Sequence, residues 1–175
     1  LASDLMTPQK SKEMKIRFIH QELNLCNDLK VYENMYLGEE ITNKTGLVDK
    51  KAEIARAQEV LDGMGVKISA TALVADLETA KKQLVEIAKA LSKNAKLLIL
   101  DEPTASLNEE DSKALLELLL KFKKEGMTSI LISHKLNEIA YVADKITILR
   151  DGATIETLDK ASEDTSEDRI IRGMV

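Results

Sequence analysis

The chain has 175 residues, 44% of them apolar, which is enough for one domain with a sizeable core and too few for two full ones. Aromatic residues make up 3%, tryptophan is absent and the formal charge is −5, so neither a base-stacking platform nor a basic nucleic-acid face is expected, and no nucleic-acid partner. A single cysteine, Cys26, excludes an internal disulfide framework, and no apolar run approaches the ~18 residues needed to cross a bilayer, so the chain is expected to be soluble or to ride on a membrane partner.

In chain order, a first strand is expected over 16–20. From 21 to 95 no strand is convincing, and helical patterns fall at 31–37, at 50–64 with Ile54, Ala57, Leu61 and Met64 on one face, and at 80–91. Gly63 and Gly65 are expected to break the second of these. So long a stretch of helix between two strands reads as a helical insertion, because a loop of that length is improbable. Strands follow at 96–100, 128–133 and 145–150. A crossover helix at 109–125 carries Leu115, Leu116, Leu119 and Phe122 on one face, with Asn108 as its cap and Gly126 as its stop. A shorter helix at 136–142 precedes the strand at 145–150, and Asp151-Gly152 marks a turn into a last strand at 153–157. The fold class is therefore α/β, a parallel sheet with crossover helices and a separate helical layer.

The sharpest chemical feature is Leu97-Leu98-Ile99-Leu100-Asp101-Glu102-Pro103, an apolar strand delivering two carboxylates to its C-terminal edge, where open α/β sheets bind ligands. Asp101 suits a Mg2+ shell and Glu102 suits orienting or deprotonating a water; the alternative is a surface acidic turn. Ile130-Leu131-Ile132-Ser133-His134 delivers a histidine from another strand, either toward a transferring phosphoryl group or merely to local backbone. Gln21, after the first strand, is an amide that can reach a metal-bound water or stand as an ordinary exposed glutamine.

HQELNL at 20–25, QLVEIAKAL at 83–91, LLILDEPTASL at 97–107, SILISHKLNEI at 129–139, VADKITILRDG at 142–152 and SEDRIIRGMV at 166–175 resemble the ATP-binding subunits of ABC transporters. The wording is nearest to bacterial importers of ribose, xylose, galactose and similar monosaccharides. The resemblance implies a partial P-loop NTPase (ABC ATPase) core with a parallel sheet plus an α-helical subdomain. Residues 1–21 would carry the Q-loop strand, 22–95 the helical subdomain, and 96–175 the later half of the core with Walker B, D-loop, H-loop and C-terminal helix. Residue by residue, it implies that Gln21 is the Q-loop glutamine and Asp101 the Walker B aspartate, both serving Mg2+ largely through water. Glu102 would be the catalytic glutamate, His134 the switch histidine at the γ-phosphate, and Ala105, Ser106, Leu107 and Asn108 the D-loop. The signature motif falls on Leu77, Glu78, Thr79, Ala80 and Lys81.

Two departures stand out. No G-x-x-x-x-G-K-[ST] phosphate loop occurs in the sequence, which in the family lies upstream of the Q-loop, and the signature carries Glu78 where the family has serine. With its start at Leu1, the chain is expected to be a piece of the first of two ATPase halves, inactive by itself. The implied function is ATP hydrolysis with Mg2+ to energise sugar import, on the cytoplasmic face of the membrane. The implied partners are permease subunits, a second nucleotide-binding domain and, indirectly, a sugar-binding protein. The segment 24–40, with Tyr32 and Tyr36, is expected to face the permease. Two rival readings are a soluble ABC-type protein acting on ribosomes or DNA without a permease, and a non-catalytic binding module.

Overall fold

The computed structural model describes residues 7–175; Leu1 to Met6, the beginning of the expected 1–21 segment, lie outside the described residues. The chain divides into two compact units, the first ending at Ile130 and the second spanning Leu131–Val175.

In the first unit, a short helix α1 (Pro8–Glu13) that the apolar pattern does not announce starts where Thr7 Oγ1 accepts from Lys10 N at 3.2 Å, with Pro8 in the first turn. Strand β1 (Ile16–Ile19) follows, then helices α2 (Val31–Tyr36), α3 (Lys50–Met64) and α4 (Thr79–Ser92), strand β2 (Leu97–Asp101), helix α5 (Glu109–Lys124) and strand β3 (Thr128–Ile132), whose last two residues belong to the second unit. The sheet order is β1-β2-β3, with β1 and β2 parallel.

Helices α2, α3 and α4 pack pairwise, which is the separate layer expected from the sequence. Its centre is Val31, Met35, Ala57, Leu61, Val85 and Ala88, each fully buried. Helix α3 is capped by Asp49, whose Oδ1 accepts from Ala52 N at 3.0 Å, and it ends at Gly65 in the left-handed conformation (φ +78°). Gly63, expected as a second breaker, lies inside the helix, because a glycine with helical φ weakens a helix without ending it.

Helix α5 follows its sequence signals closely. Asn108 Oδ1 accepts from Asp111 N at 2.8 Å, Glu109, Glu110 and Asp111 occupy the first turn, and Lys121, Lys123 and Lys124 the last. Leu115, Leu116, Leu119 and Phe122 are buried as the pattern requires, and Gly126 (φ +91°) turns the chain away. Strand β3 differs from a buried run: Ile130 and Ile132 are 48% and 46% exposed, and β3 lies at an edge of its sheet.

The second unit holds α6 (Leu136–Val142), β4 (Lys145–Arg150), β5 (Ala153–Asp159) and α7 (Glu167–Met174). Strand β4, read from the sequence as a member of the parallel sheet, instead pairs antiparallel with β5 in a two-stranded sheet of its own. Asp151 (φ +53°) and Gly152 (φ +77°) both take the left-handed conformation that a tight two-residue hairpin demands. Ile146, Ile148, Leu158 and Ile170 form the core, with Leu136, Ile139 and Ala143 packed on it. Arg169 clamps Glu156 through two hydrogen bonds of 2.7 and 2.6 Å, which hold the Glu156 carboxyl below its usual range.

Candidate functional site

Strands β1 and β2 run in parallel register from Ile16 beside Leu97 to Ile19 beside Leu100, so both chains leave the sheet at one C-terminal edge. Leu98 and Leu100 are fully buried and fix β2, which leaves its last residue, Asp101, half-buried at that edge. Gln21 stands exposed on the bend two residues beyond the end of β1. The register thus brings Gln21 and the Asp101-Glu102 pair to the same edge of the first unit.

Glu102 is the strained residue of this turn. Its φ of +47° is a conformation that a residue with a Cβ rarely takes, costing on the order of 1–3 kcal/mol. The turn that holds it is over-determined: Pro103 disfavours the right-handed helical conformation for the residue before it, Pro103 and Thr104 are buried, and Ala105 N donates to Glu102 O at 3.1 Å. Glu102 Oε2 is buried at this turn.

The residues expected to form a D-loop continue the same turn. Ala105 and Ser106 are exposed, Leu107 is half-buried with its N–H on Thr104 O at 3.2 Å, and Asn108 serves as the α5 cap. In the segment expected to be the signature motif, Leu77 closes a 3-10 turn over Val74–Asp76 and Glu78 occupies the N-cap of α4 in extended conformation. The Glu78 side chain is exposed and makes no cap hydrogen bond. Thr79, Ala80 and Lys81 form the first turn, one residue earlier than the sequence pattern indicates. His134 belongs to the second unit, where it is exposed on the bend between β3 and α6, just before a turn fixed by Lys135 N on Ser133 Oγ at 3.1 Å.

Among the described residues no group of three or more His, Cys, Asp or Glu could hold a metal ion on its own. The donors at the sheet edge, one carboxylate and one amide oxygen, fit Mg2+, a hard cation that keeps several waters and takes its other ligands from phosphates.

Tyr32 and Tyr36, expected at a partner-facing surface, are buried at 4% and 7% exposure, and burial raises both phenols above their usual range. The apolar side chain exposed there is Leu37, at 49%. Sequence reasoning also missed Asn34, which is wholly buried: its Oδ1 accepts from Cys26 N at 2.8 Å and its Nδ2 donates to Cys26 O at 3.0 Å and Lys30 O at 3.1 Å. The available signal was an asparagine among the apolar positions of α2.

Residues 3–105 match the family model described as ABC transporter. The chain is 55% identical over 167 residues to the L-arabinose transport ATP-binding protein AraG of Geobacillus stearothermophilus, covering 95% of this chain and 32% of that protein. It is 47% identical over 160 residues to the xylose import ATP-binding protein XylG of Escherichia coli O6:K15:H31, covering 91% and 31%. The chain therefore spans about a third of the length of the curated relatives it matches. In fold it is similar to the crystal structure of the ADP conformation of an ATP-binding cassette of an ABC transporter, with a TM-score of 0.79 at 20% identity over 96% of this chain and 71% of that one. A sheet edge carrying Gln21, Asp101 and Glu102, a helical layer between its first two strands, and a family match over more than half of its length together make this chain a member of the ABC transporter family.

Proposed function

We propose that the chain is part of an ATP-binding and ATP-hydrolysing subunit that energises monosaccharide import, peripheral to the cytoplasmic face of the membrane. The observation that carries this reading is the shared edge of β1 and β2, which presents Gln21, Asp101 and Glu102 together. The relatives named for arabinose and xylose supply the substrate class.

In this reading Asp101 and Gln21 hold Mg2+ largely through its waters, and the ion neutralises phosphate charge when bound. Glu102, on its left-handed backbone, accepts a proton from the attacking water. His134 donates to a γ-phosphate oxygen. Residues 22–95 act as the helical subdomain, and Leu77 to Lys81 meet nucleotide held by a second nucleotide-binding domain. A groove of about 430 Å³ lined by Lys12, Phe18, His20, Leu37, Glu86 and Lys93 suits a permease segment, with a sugar-binding protein acting from the far side of the membrane.

Sugar uptake into vesicles holding the complete transporter tests this. Uptake is expected to require internal ATP and to stop on Glu102→Gln; ATP-independent uptake, or uptake unchanged by that substitution, contradicts the reading.

A further inference from the structure

The segment that follows Gln21 is held at its far side by α4. Asn24 N donates to Glu86 Oε1 at 2.8 Å, and three residues on, Asn27 Oδ1 accepts from Lys82 Nζ at 3.2 Å. Lys82 and Glu86 are one turn apart on α4, and α4 begins at Thr79 in the signature segment. Between these two contacts the chain is pinned a third time, by Asn34 of α2 on both main-chain groups of Cys26. The run from Gln21 to Asn27 is therefore a strut, anchored to β1 at one end and to the first two turns of α4 at the other.

We propose that Glu86 is a positioning residue: through the Asn24 main-chain N–H it makes the segment after Gln21 and the N-terminal turns of α4 move as one piece, so that a shift of Gln21 reaches Glu78 to Lys81. A carboxylate suits this task because it only accepts, and a charge-assisted bond to a main-chain N–H is shorter and stronger than a neutral one. Lys82 plays the lesser part, since its long flexible side chain transmits displacement poorly and its 3.2 Å bond is the longer of the two. This inference rests on the proposed ATPase reading of the site.

The test uses the complete subunit with Glu86→Ala, Glu86→Gln and Lys82→Ala. Amide exchange at Asn24, the melting temperature, the Kd for ATP·Mg2+ and the kcat of hydrolysis are measured on each. Glu86→Ala is expected to speed exchange at the Asn24 amide and lower kcat about tenfold, with Kd within about twofold of the parent. Glu86→Gln, which keeps an acceptor oxygen, is expected to restore most of kcat, and Lys82→Ala to lower it by about twofold. Should Glu86→Ala fail to fold, Glu86→Gln against Lys82→Ala still decides: a glutamine variant slower than the Lys82 variant contradicts the proposal. Parental kcat in a folded Glu86→Ala protein, or kcat, Kd and melting temperature falling together without rescue by glutamine, overturns it. A parent subunit that hydrolyses no ATP overturns the functional reading and this inference with it, whereas an active parent matched by Glu86→Ala overturns this inference alone.

Discussion

Ile19 of β1 lies directly beside Leu100 of β2 in parallel register, and both side chains are buried. One residue past Leu100 is Asp101, and two past Ile19 is Gln21, so a pair of core residues aligns the two groups assigned to Mg2+. The placement of that chemistry is thus a consequence of strand packing, with no polar contact needed to set it.

Glu78 sits at the N-terminus of α4 without capping it, which leaves its carboxylate exposed at a position favourable to an anion. On the proposed reading, in a closed dimer that carboxylate would repel the γ-phosphate held by the second domain, the alternative being that Lys81 and Lys82 offset the repulsion. Glu78→Ser in the complete transporter is expected to raise the ATPase rate about tenfold, equal to roughly 1.4 kcal/mol off the barrier. A steady-state ATPase assay showing an unchanged or lower rate, with dimer closure intact, means that Glu78 points away from the phosphate.

The 175 residues contain no G-x-x-x-x-G-K-[ST] loop, the element that cradles phosphates in this fold class. Calorimetric titration of this chain with ATP·Mg2+ is expected to give no saturable submillimolar isotherm. A clear one would show that the residues present bind nucleotide without that loop.

Glu39 accepts hydrogen bonds from Lys12 and, at 2.8 Å, from Lys93, and these two cations hold its carboxyl down from 4.5 to about 2. A carboxyl lowered on folding contributes stability that is whole above its unfolded pKa and lost as pH falls through the folded one, here from about 4.5 to about 2. Its side chain is 35% exposed, so solvent screening limits the gain to about 1 kcal/mol. Glu39→Gln is expected to lower the melting temperature at neutral pH by about 2–4 °C and to make the acid side of the curve less steep. Parallel curves for the two proteins would contradict the assignment.

Asn34, with one buried amide, accepts from Cys26 N and adds a second donor to Cys26 O and Lys30 O, which also accept from Leu29 N and Asn34 N. Asn34→Leu, with the same branching and number of side-chain heavy atoms but apolar, is expected to destabilise the folded state by about 2–4 kcal/mol, read from denaturant unfolding. A loss below about 0.5 kcal/mol would mean that water takes over those contacts.

Much of this molecule is legible in the sequence wherever one local rule suffices. The α5 helix shows this, with Asn108, its acidic first turn, its leucine face and Gly126 all stating the same boundaries. The Asp101-Glu102 pair is equally visible, because the four apolar residues before it read as a strand that ends at a sheet edge. What escaped depends on partners distant in sequence. Apolar alternation in β4 fits a parallel or an antiparallel strand, and the hairpin to β5 decided for the latter. The buried orientation of Tyr32 and Tyr36 follows from α3 and α4 covering α2, and Glu86 gains its partner from 62 residues away. The left-handed backbone of Glu102 has no composition signal beyond the proline that follows it.

The most direct test of the account separates binding from chemistry at Asp101 and Glu102. In the complete subunit, Glu102→Gln is expected to keep the parental Kd for ATP·Mg2+ while single-turnover hydrolysis falls by about a hundredfold or more, since an amide orients water but cannot take its proton. Asp101→Asn is expected to weaken Mg2+-dependent binding itself. Glu102→Gln hydrolysing ATP at the parental single-turnover rate, or both variants losing binding alone, would contradict the account.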